Sequence, residues 1–556
     1  MSIGQPLPHP VPAPSPVVVV NSGPLVTWWT GKVAPAGRVP AAATVAGVVA
    51  GTAVPIDRPG IGWLAAASAS AVAVALAGRA ARAAASASRV EVPASRAEVP
   101  ANTVETSASG AQASANRAEA SARRAEAVWR WTFGAAAVLL VAVGTVRAAE
   151  WLFVLCLLGA VVCGAVAVGG GRSVAGLVVS VLSVPLAALR GLGWYSRSLG
   201  ALSRDVSREP TDGTTERAPS PVRLLASVLL GVVLVALFGA LLSSADAAFA
   251  EVVGRALPSL DAGPIMRFGL LLVVGTLGTV GACYLRMRPL AVGEGATASG
   301  RRTVRLVEWA VPVALLDLLF ASFVAVQFAV LFGGNEHVLA TADLTYADYA
   351  RSGFWQLLYV TVLSLGVVAV AARLAPRDTA RHRLWLRLLV GALAALLLVV
   401  VASALTRMWT YEQAYGYTRL RVWVSAVELL LGVVFVLVLV AGVRLRARWM
   451  PRAVVLAGAL TLLGLAALNP DAFIAERNIA RWHADHPLDT YYLGQLSDDA
   501  VPALATLPEP LRGCVLGRLA TARQDRGANP WAGWNYGRAR AADTLENAST
   551  FFACPS

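Results

Sequence analysis

Long apolar runs, separated by short polar segments, recur along nearly the whole chain. They cover Ala41–Ile56, Ile61–Ala77, Trp131–Val146, Trp151–Val168, Val222–Leu242, Met266–Leu285, Val307–Phe332, Phe354–Leu374, Trp385–Leu405, Val422–Val443 and Ala453–Leu468. Each is about as long as a helix needs to be to cross a hydrocarbon core. Their apolarity is continuous rather than confined to one face. The pattern predicts an all-α, polytopic membrane protein of eleven spans with a small helical domain at the carboxyl end. Val307–Phe354 is the stretch around which the rest is arranged: a long span carrying Asp317 and Gln327, then a break at Gly333-Gly334 into an aromatic loop.

A twelfth run, Val174–Leu189, contains Pro185. Loop charge decides how it lies. The segments around 286–305, 373–387 and 444–452 are rich in arginine, whereas 333–353 and 407–421 are acidic or mixed. Basic loops mark the cytoplasmic face. If 174–189 spanned, the eight-arginine segment 79–130 would fall outside. The reading that keeps every basic loop inside makes 174–200 an interfacial segment. It places the amino terminus in the cytoplasm and the carboxyl terminus outside a cell (plasma) membrane.

The polar stretches divide the remainder. Residues 1–40 alternate proline with small residues and read as an extended tail. Residues 41–78 form a helical hairpin whose Gly47 and Gly51 allow its two helices to pack closely. Residues 79–130 hold six heptads that place Glu91, Glu98, Glu105, Gln112, Glu119 and Glu126 in one frame. Pro93 and Pro100 exclude helix from the first two heptads, so the later heptads extend the following span. The spans at 131–285 come next, then a core at 286–468. The tail 469–556 opens its helices at Asn469-Pro470, Ser497, Pro508 or Pro510, and Asn529-Pro530. It carries ten acidic residues against eight arginines. Outside the cytoplasm, Cys514 and Cys554 could form a disulfide. Cys156, Cys163 and Cys283 belong to spans and read as packing residues.

Composition agrees: 57% of residues are hydrophobic and 14% charged, against roughly a quarter charged in soluble domains. The net charge of +14 sits in the inner loops, so nucleic acid is not the expected partner. No P-loop, GxSxG, HExxH or paired CxxC is present, which leans against an enzyme, and no cofactor or metal is expected. His483, Asp485 and His486 read as a solvated helix end. Ionisable groups within spans are candidate functional residues, namely Asp317 and Glu428. Each is either a carboxyl that joins helices or part of a transport or proton-relay path; Gln327 suits an interhelical hydrogen bond. On the outer face, Asp348, Arg351, Arg407, Glu412 and Arg419 could brace two loops or form a polar ligand site.

The blocks LDLLFASFVAVQFAVLFGG, LTYADYARSGFWQL, TYEQAYGYTRLRV, NPDAFIAERNIAR and YYLGQLSDDAVPAL resemble the actinobacterial membrane family catalogued as domain of unknown function 4173, to which the 4153 group is related. The likeness covers about 220–545 and implies a polytopic membrane protein with a helical tail. It assigns no activity or active residue. The functional expectation is a sensory or scaffolding protein of the bacterial cell envelope, meeting the bilayer and an envelope or protein partner. The alternatives are a transporter or channel using the intramembrane carboxylates, and a membrane enzyme acting on a lipid-linked substrate.

Overall fold

The computed structural model describes residues 26–27, 38–90, 105–206, scattered positions between 231 and 252, 262–288, 291–292, 304–332, 346–445, 447–525 and 531–546. Apart from a two-residue antiparallel pairing of Val26–Thr27 with Ala291–Val292, the elements are helices. They are α1 (Val39–Ala53), α2 (Ile61–Val90), α3 (Glu105–Val146), α4 (Glu150–Gly169), α5 (Val174–Val206), α6 (Ala262–Met287), α7 (Leu306–Phe332), α8 (Tyr346–Leu374), α9 (Ala380–Tyr415), α10 (Arg419–Arg444) and α11 (Met450–Leu468). The tail adds α12 (Pro470–Trp482), α13 (Thr490–Leu493), α14 (Val501–Leu504), α15 (Leu511–Asp525) and α16 (Tyr536–Glu546). Ten of the described helices are long and apolar enough to cross a membrane. Leu158, Val161, Leu318 and Leu319 stay exposed on them, as expected where hydrocarbon is the solvent. The expected span Val222–Leu242 lies largely outside the described residues.

Local chemistry sets the helix ends. Proline opens α1, α11 and α12 within the first two positions, where its missing N–H costs nothing. Thr379 and Thr418 cap α9 and α10 by accepting from the backbone N–H groups of His382 and Arg421. Asn469 departs from expectation. It ends α11 in the left-handed region at φ 57° and makes no side-chain cap to α12.

Three apolar clusters organise the bundle. The first joins α3, α4, α10 and α11 to the tail helices. The second joins α7, α8, α9 and α10, and the third α1, α2, α5, α6 and the end of α4. Helix α10 therefore belongs to two clusters, as does α4. The tail, expected as a small helical domain with little core of its own, packs Ile474, Leu504 and Leu519 into one core with Leu140 and Leu152 of α3 and α4. Too little apolar surface for an independent core is made good by the ends of the spans.

The bundle has two unlike ends. At the tail end lie the α1–α2, α3–α4 and α9–α10 turns. The α4–α5, α8–α9 and α10–α11 turns form the other, basic end. Helix α5 has the length of a span, but its contacts stay at the basic end. Ser180 abuts Gly169, Val184 and Ala188 abut Gly281, and Gly191 abuts Val280 and Tyr284. The Tyr195 hydroxyl then meets Thr44 at 2.6 Å, close to the start of α1. From Ser180 to Tyr195 a helix advances about 22 Å, yet every partner lies near one end of its own helix. These contacts lie toward the basic end, while α5 is among the ten helices long and apolar enough to cross a membrane and α1, with 15 residues, is not.

The later heptads form helix continuous with the following span, as α3. Gly47 and Gly51 do pack closely, although against α6 rather than α2. A Cβ on Gly47 would come 2.8 Å from the Leu272 carbonyl oxygen, and one on Gly51 would come 2.9 Å from the Phe268 ring. Gly47→Val should push α1 off α6 and cost about 1–3 kcal/mol. A lowered melting temperature in detergent would show this; an unchanged one would mean that the two helices separate freely.

Candidate functional site

A polar seam at the tail end ties the tail to the spans. Asp471, in the first turn of α12, is fully buried and shared by three segments. Arg419 at the start of α10 donates from Nε to Oδ1 at 2.9 Å and from Nη2 to Oδ2 at 2.6 Å. The Ser497 backbone N–H donates to Oδ2 at 2.8 Å, and Trp151 Nε1 of α4 to Oδ1 at 3.2 Å. Burial alone would raise this carboxyl, but the Arg419 guanidinium and the Ser497 bonds outweigh it and hold Asp471 below the ordinary carboxylate range.

About two and three turns further along α12, the same helix reads the α9–α10 turn. Tyr417 N–H donates to Asn478 Oδ1 and Asn478 Nδ2 donates to the Tyr417 carbonyl, both at 2.9 Å. Arg481 donates to the carbonyls of Gln413 and Ala414 at 2.7 and 2.8 Å, which satisfies the free C-terminal end of α9. Gly416, at φ 84°, lets this approach happen: a Cβ there would lie 2.7 Å from Asn478 Oδ1.

A second contact fixes the α3–α4 turn. Asp499 accepts from the backbone N–H groups of Ala148 and Ala149 at 2.7 and 3.2 Å, capping α4. Asn535 donates to the carbonyls of Gly144 and Arg147, each at 2.8 Å. Arg147 donates to Ala466 and Ala467 at the end of α11, at 2.6 and 3.2 Å. Burial pushes the Asp499 carboxyl up to about 6 in spite of its two backbone donors.

At the basic end, Arg452 of α11 is buried and grips Glu126 of the last heptad with two bonds, at 3.0 and 2.9 Å. Arg172 and Arg130 share the same carboxylate. Arg452 also donates to the Gly171 carbonyl at 2.8 Å and to that of Gly170 at 2.5 Å. An arginine expected as a free loop charge is therefore a buried lock.

Within the spans, Glu428 of α10 is fully buried beside Thr361 of α8. The Thr361 hydroxyl gives its proton to the Leu357 carbonyl at 2.8 Å, so it stands beside Glu428 as an acceptor, and among the described residues no group donates to either carboxyl oxygen. Both oxygens of Asp317, on α7, are likewise buried and without a hydrogen-bond partner. The structure does not unite the two: α7 packs on α9 and α8, whereas Glu428 sits between α10 and α8. Gln327 reaches only a long contact, 3.5 Å from Ser403 of α9. An apolar cavity of about 310 Å³ lies between α4, α10 and α11, lined by Leu155, Gly159, Trp423, Val427 and Gly458 among others.

The expected outer-face cluster is partly dispersed. Arg419 pairs with Asp471, a residue that the loop reading did not single out. Glu412 is buried within electrostatic reach of Arg421, and Arg421 covers the Tyr411 ring at 4.4 Å. Arg407 lies partly buried on α9. The side chains of Asp348 and Arg351 lie outside the described residues. Cys514 is buried and disulfide-bonded, and Cys554 lies outside the described residues. Among the described residues no group of His, Cys, Asp and Glu could hold a metal. The one signal that would have found the seam is the spacing of Asp471, Asn478 and Arg481, which share a face of α12.

The sequence model of one family matches residues 135–507, and its description is Domain of unknown function (DUF4153). The chain belongs to this family, the group set beside 4173 by its residue blocks. No curated protein and no solved structure matches.

Asp471→Ala leaves Arg419 facing a dry seam and should loosen the tail, with a cost of about 3–5 kcal/mol or less. Limited proteolysis should then cut between 469 and 546 much faster than in wild type; equal rates would remove the pair from the docking. Asp499 gives a pH test. A carboxyl whose folded value is raised makes the folded state bind protons more tightly, so its contribution falls as pH rises from about 4 to about 6. Proteolysis of the wild-type tail should speed up across that window. In Asp499→Asn this component should be absent, and an identical pH profile in the variant would reject the assignment.

Proposed function

We propose that this member of the DUF4153 family is a sensory or scaffolding protein of the cell membrane. The basic end faces the cytoplasm, and the tail forms a rigid platform on the outer side for an envelope component or protein partner. The observation that carries this reading is the buried Asp471. Its bonds to α10, α4 and the tail hold the platform in one register with the spans, so force or ligand on the tail reaches the bundle. Arginine-rich turns at the opposite end support the orientation, and the bonded Cys514 supports an oxidising compartment for the tail. Trp531, Trp534 and Tyr536 are exposed beside the α1–α2 turn, where the Trp534 carbonyl accepts from Ile61 N–H at 3.0 Å. Their place suits the headgroup layer. Tyr491, with Arg518 5.0 Å above its ring, is 65% exposed and offers an aromatic contact for the partner.

A second reading rests on Glu428 and Asp317. Buried carboxyls lacking hydrogen bonds inside spans are costly, and a protonation step that shifts helix packing gives them a purpose. Each would act separately, since no contact joins them.

Thiol labelling of intact cells with a membrane-impermeant reagent checks the orientation. Labelling of Cys514 and Cys554 only after reduction supports an outer tail in which these two are paired; labelling only after permeabilisation would place the tail in the cytoplasm and sink the platform reading. Glu428→Gln keeps the shape and removes the titration. Under the second reading it should abolish any pH-dependent change in tail accessibility that Asp499→Asn leaves behind, while a persisting change would reduce Glu428 to a packing residue.

A further inference from the structure

At the basic end, α2, α3 and α6 bring together Arg82, Arg130 and Arg286, and among the described residues the acid beside them is Glu126, which three arginines already share. The Arg286 guanidinium of α6 is half-buried against Gly78 of α2: a Cβ there would come within 3.2 Å of both Nε and Nη2. The charged groups that act on Arg286 are Arg130 and Arg82, both of its own sign. Arg130 in turn approaches Glu126 at 3.5 Å, and its buried Nε has no hydrogen-bond partner. Glu126 cannot serve the group further, because both of its oxygens are already engaged by Arg452 and one of them by Arg172. Like charges gathered in a partly desolvated place repel, and the arrangement persists at low cost only when an anion joins it. The neighbour of Arg130, Trp131, is 74% exposed where α3 passes from the polar heptads into its apolar run, a place that suits headgroup depth.

We propose that Arg82, Arg130 and Arg286 form a binding site for a phosphate group, taken from the headgroup of an anionic phospholipid in the leaflet at the basic end. Guanidinium forks suit phosphate oxygens, and basic pockets between spans are places where anionic headgroups bind. Dissolved phosphate offers the same chemistry, but the depth of the site favours the lipid.

The test uses the full chain in a neutral detergent, with added phosphatidylglycerol, phosphatidylcholine or inorganic phosphate at constant ionic strength. Melting temperature and lipid retention in native mass spectrometry are the readouts. Phosphatidylglycerol should raise the melting temperature of wild type by several degrees and remain bound, and high salt should weaken both effects. Arg286→Gln should lose at least about tenfold in apparent affinity, a change of ~1.4 kcal/mol; Arg286→Lys should retain part of it, and Arg79→Gln, on an exposed neighbour, all of it. Without anionic lipid, Arg286→Gln should melt no lower than wild type, since it removes one of three mutually repelling charges. Equal stabilisation by inorganic phosphate would keep the phosphate chemistry and assign the source to solution. Equal stabilisation by phosphatidylcholine, or an Arg286→Gln protein that melts lower yet responds fully to phosphatidylglycerol, would overturn the site.

Discussion

The Arg419–Asp471 pair is the contact on which the relation between tail and membrane depends. A carboxylate removed from water is unfavourable unless its lone pairs are filled, and Asp471 fills its own from three different segments. Arg419 belongs to α10, Trp151 to α4 and Ser497 to the loop after α13. These groups cannot all be satisfied in a second register of the tail, so the electrostatic requirement becomes a geometric one. Apolar burial then strengthens the register chosen, since the same tail helices complete the core of α3 and α4.

The two ends of the bundle handle charge in opposite ways. At the tail end, the described acids Asp471 and Asp499 and the cations Arg147, Arg419 and Arg481 are matched within the protein, several of them to backbone groups at helix ends. At the basic end, Glu126 serves Arg130, Arg172 and Arg452 together, while the described charged groups that act on Arg286 are arginines. The match at the tail end is incomplete, since the buried Asn469 Oδ1 and Asp498 Oδ1 make no hydrogen bond, but the cationic excess lies at the opposite end, where an anionic lipid surface would offset it.

The sequence made the helices legible because hydropathy acts locally: a run of apolar residues has one solution in hydrocarbon. Loop arginines bear on α5 as well, for a span at 174–189 would reverse the side of a distant basic insert, whereas the length and apolarity of α5 suit a span. The proline-free heptads predicted the long start of α3. What could not be read was azimuth. In a span that is apolar all round, no periodicity tells which face meets which neighbour, so Gly47 and Gly51 were assigned to α2 when they face α6. Asp471 lies far from Arg419 and Trp151 along the chain, and nothing local in PDAF announces that those three meet. The loop acids Glu412 and Asp348 were the nearer candidates for Arg419, but the fold supplied a more distant one. Of the expected intramembrane set, Glu428 is buried and Asp317 is half-buried with its carboxyl oxygens enclosed, and the two stand apart.

Helix α10 carries the consequence of these placements. Its Arg419 is fixed to the tail, its Glu428 is turned toward α8, and its Trp423 and Val427 line the apolar cavity shared with α4 and α11. On a helix with 100° between successive residues, the cavity-lining side chains and Glu428 occupy different faces. Anything that fills the cavity therefore does not touch the carboxyl directly, and anything that charges Glu428 acts first on the packing against α8 and α9. Both events act on one rigid rod, however, and the end of that rod is held by two bonds to Asp471. A rotation of α10 large enough to hydrate Glu428 would swing Arg419 off the plane of the Asp471 carboxylate. Since Asp471 also holds Trp151 and Ser497, the rotation would have to carry the tail with it or break the seam. Under the reading in which Glu428 titrates, coupling between the membrane interior and the tail would rest on how this one helix is anchored and would require no polar path through the bundle.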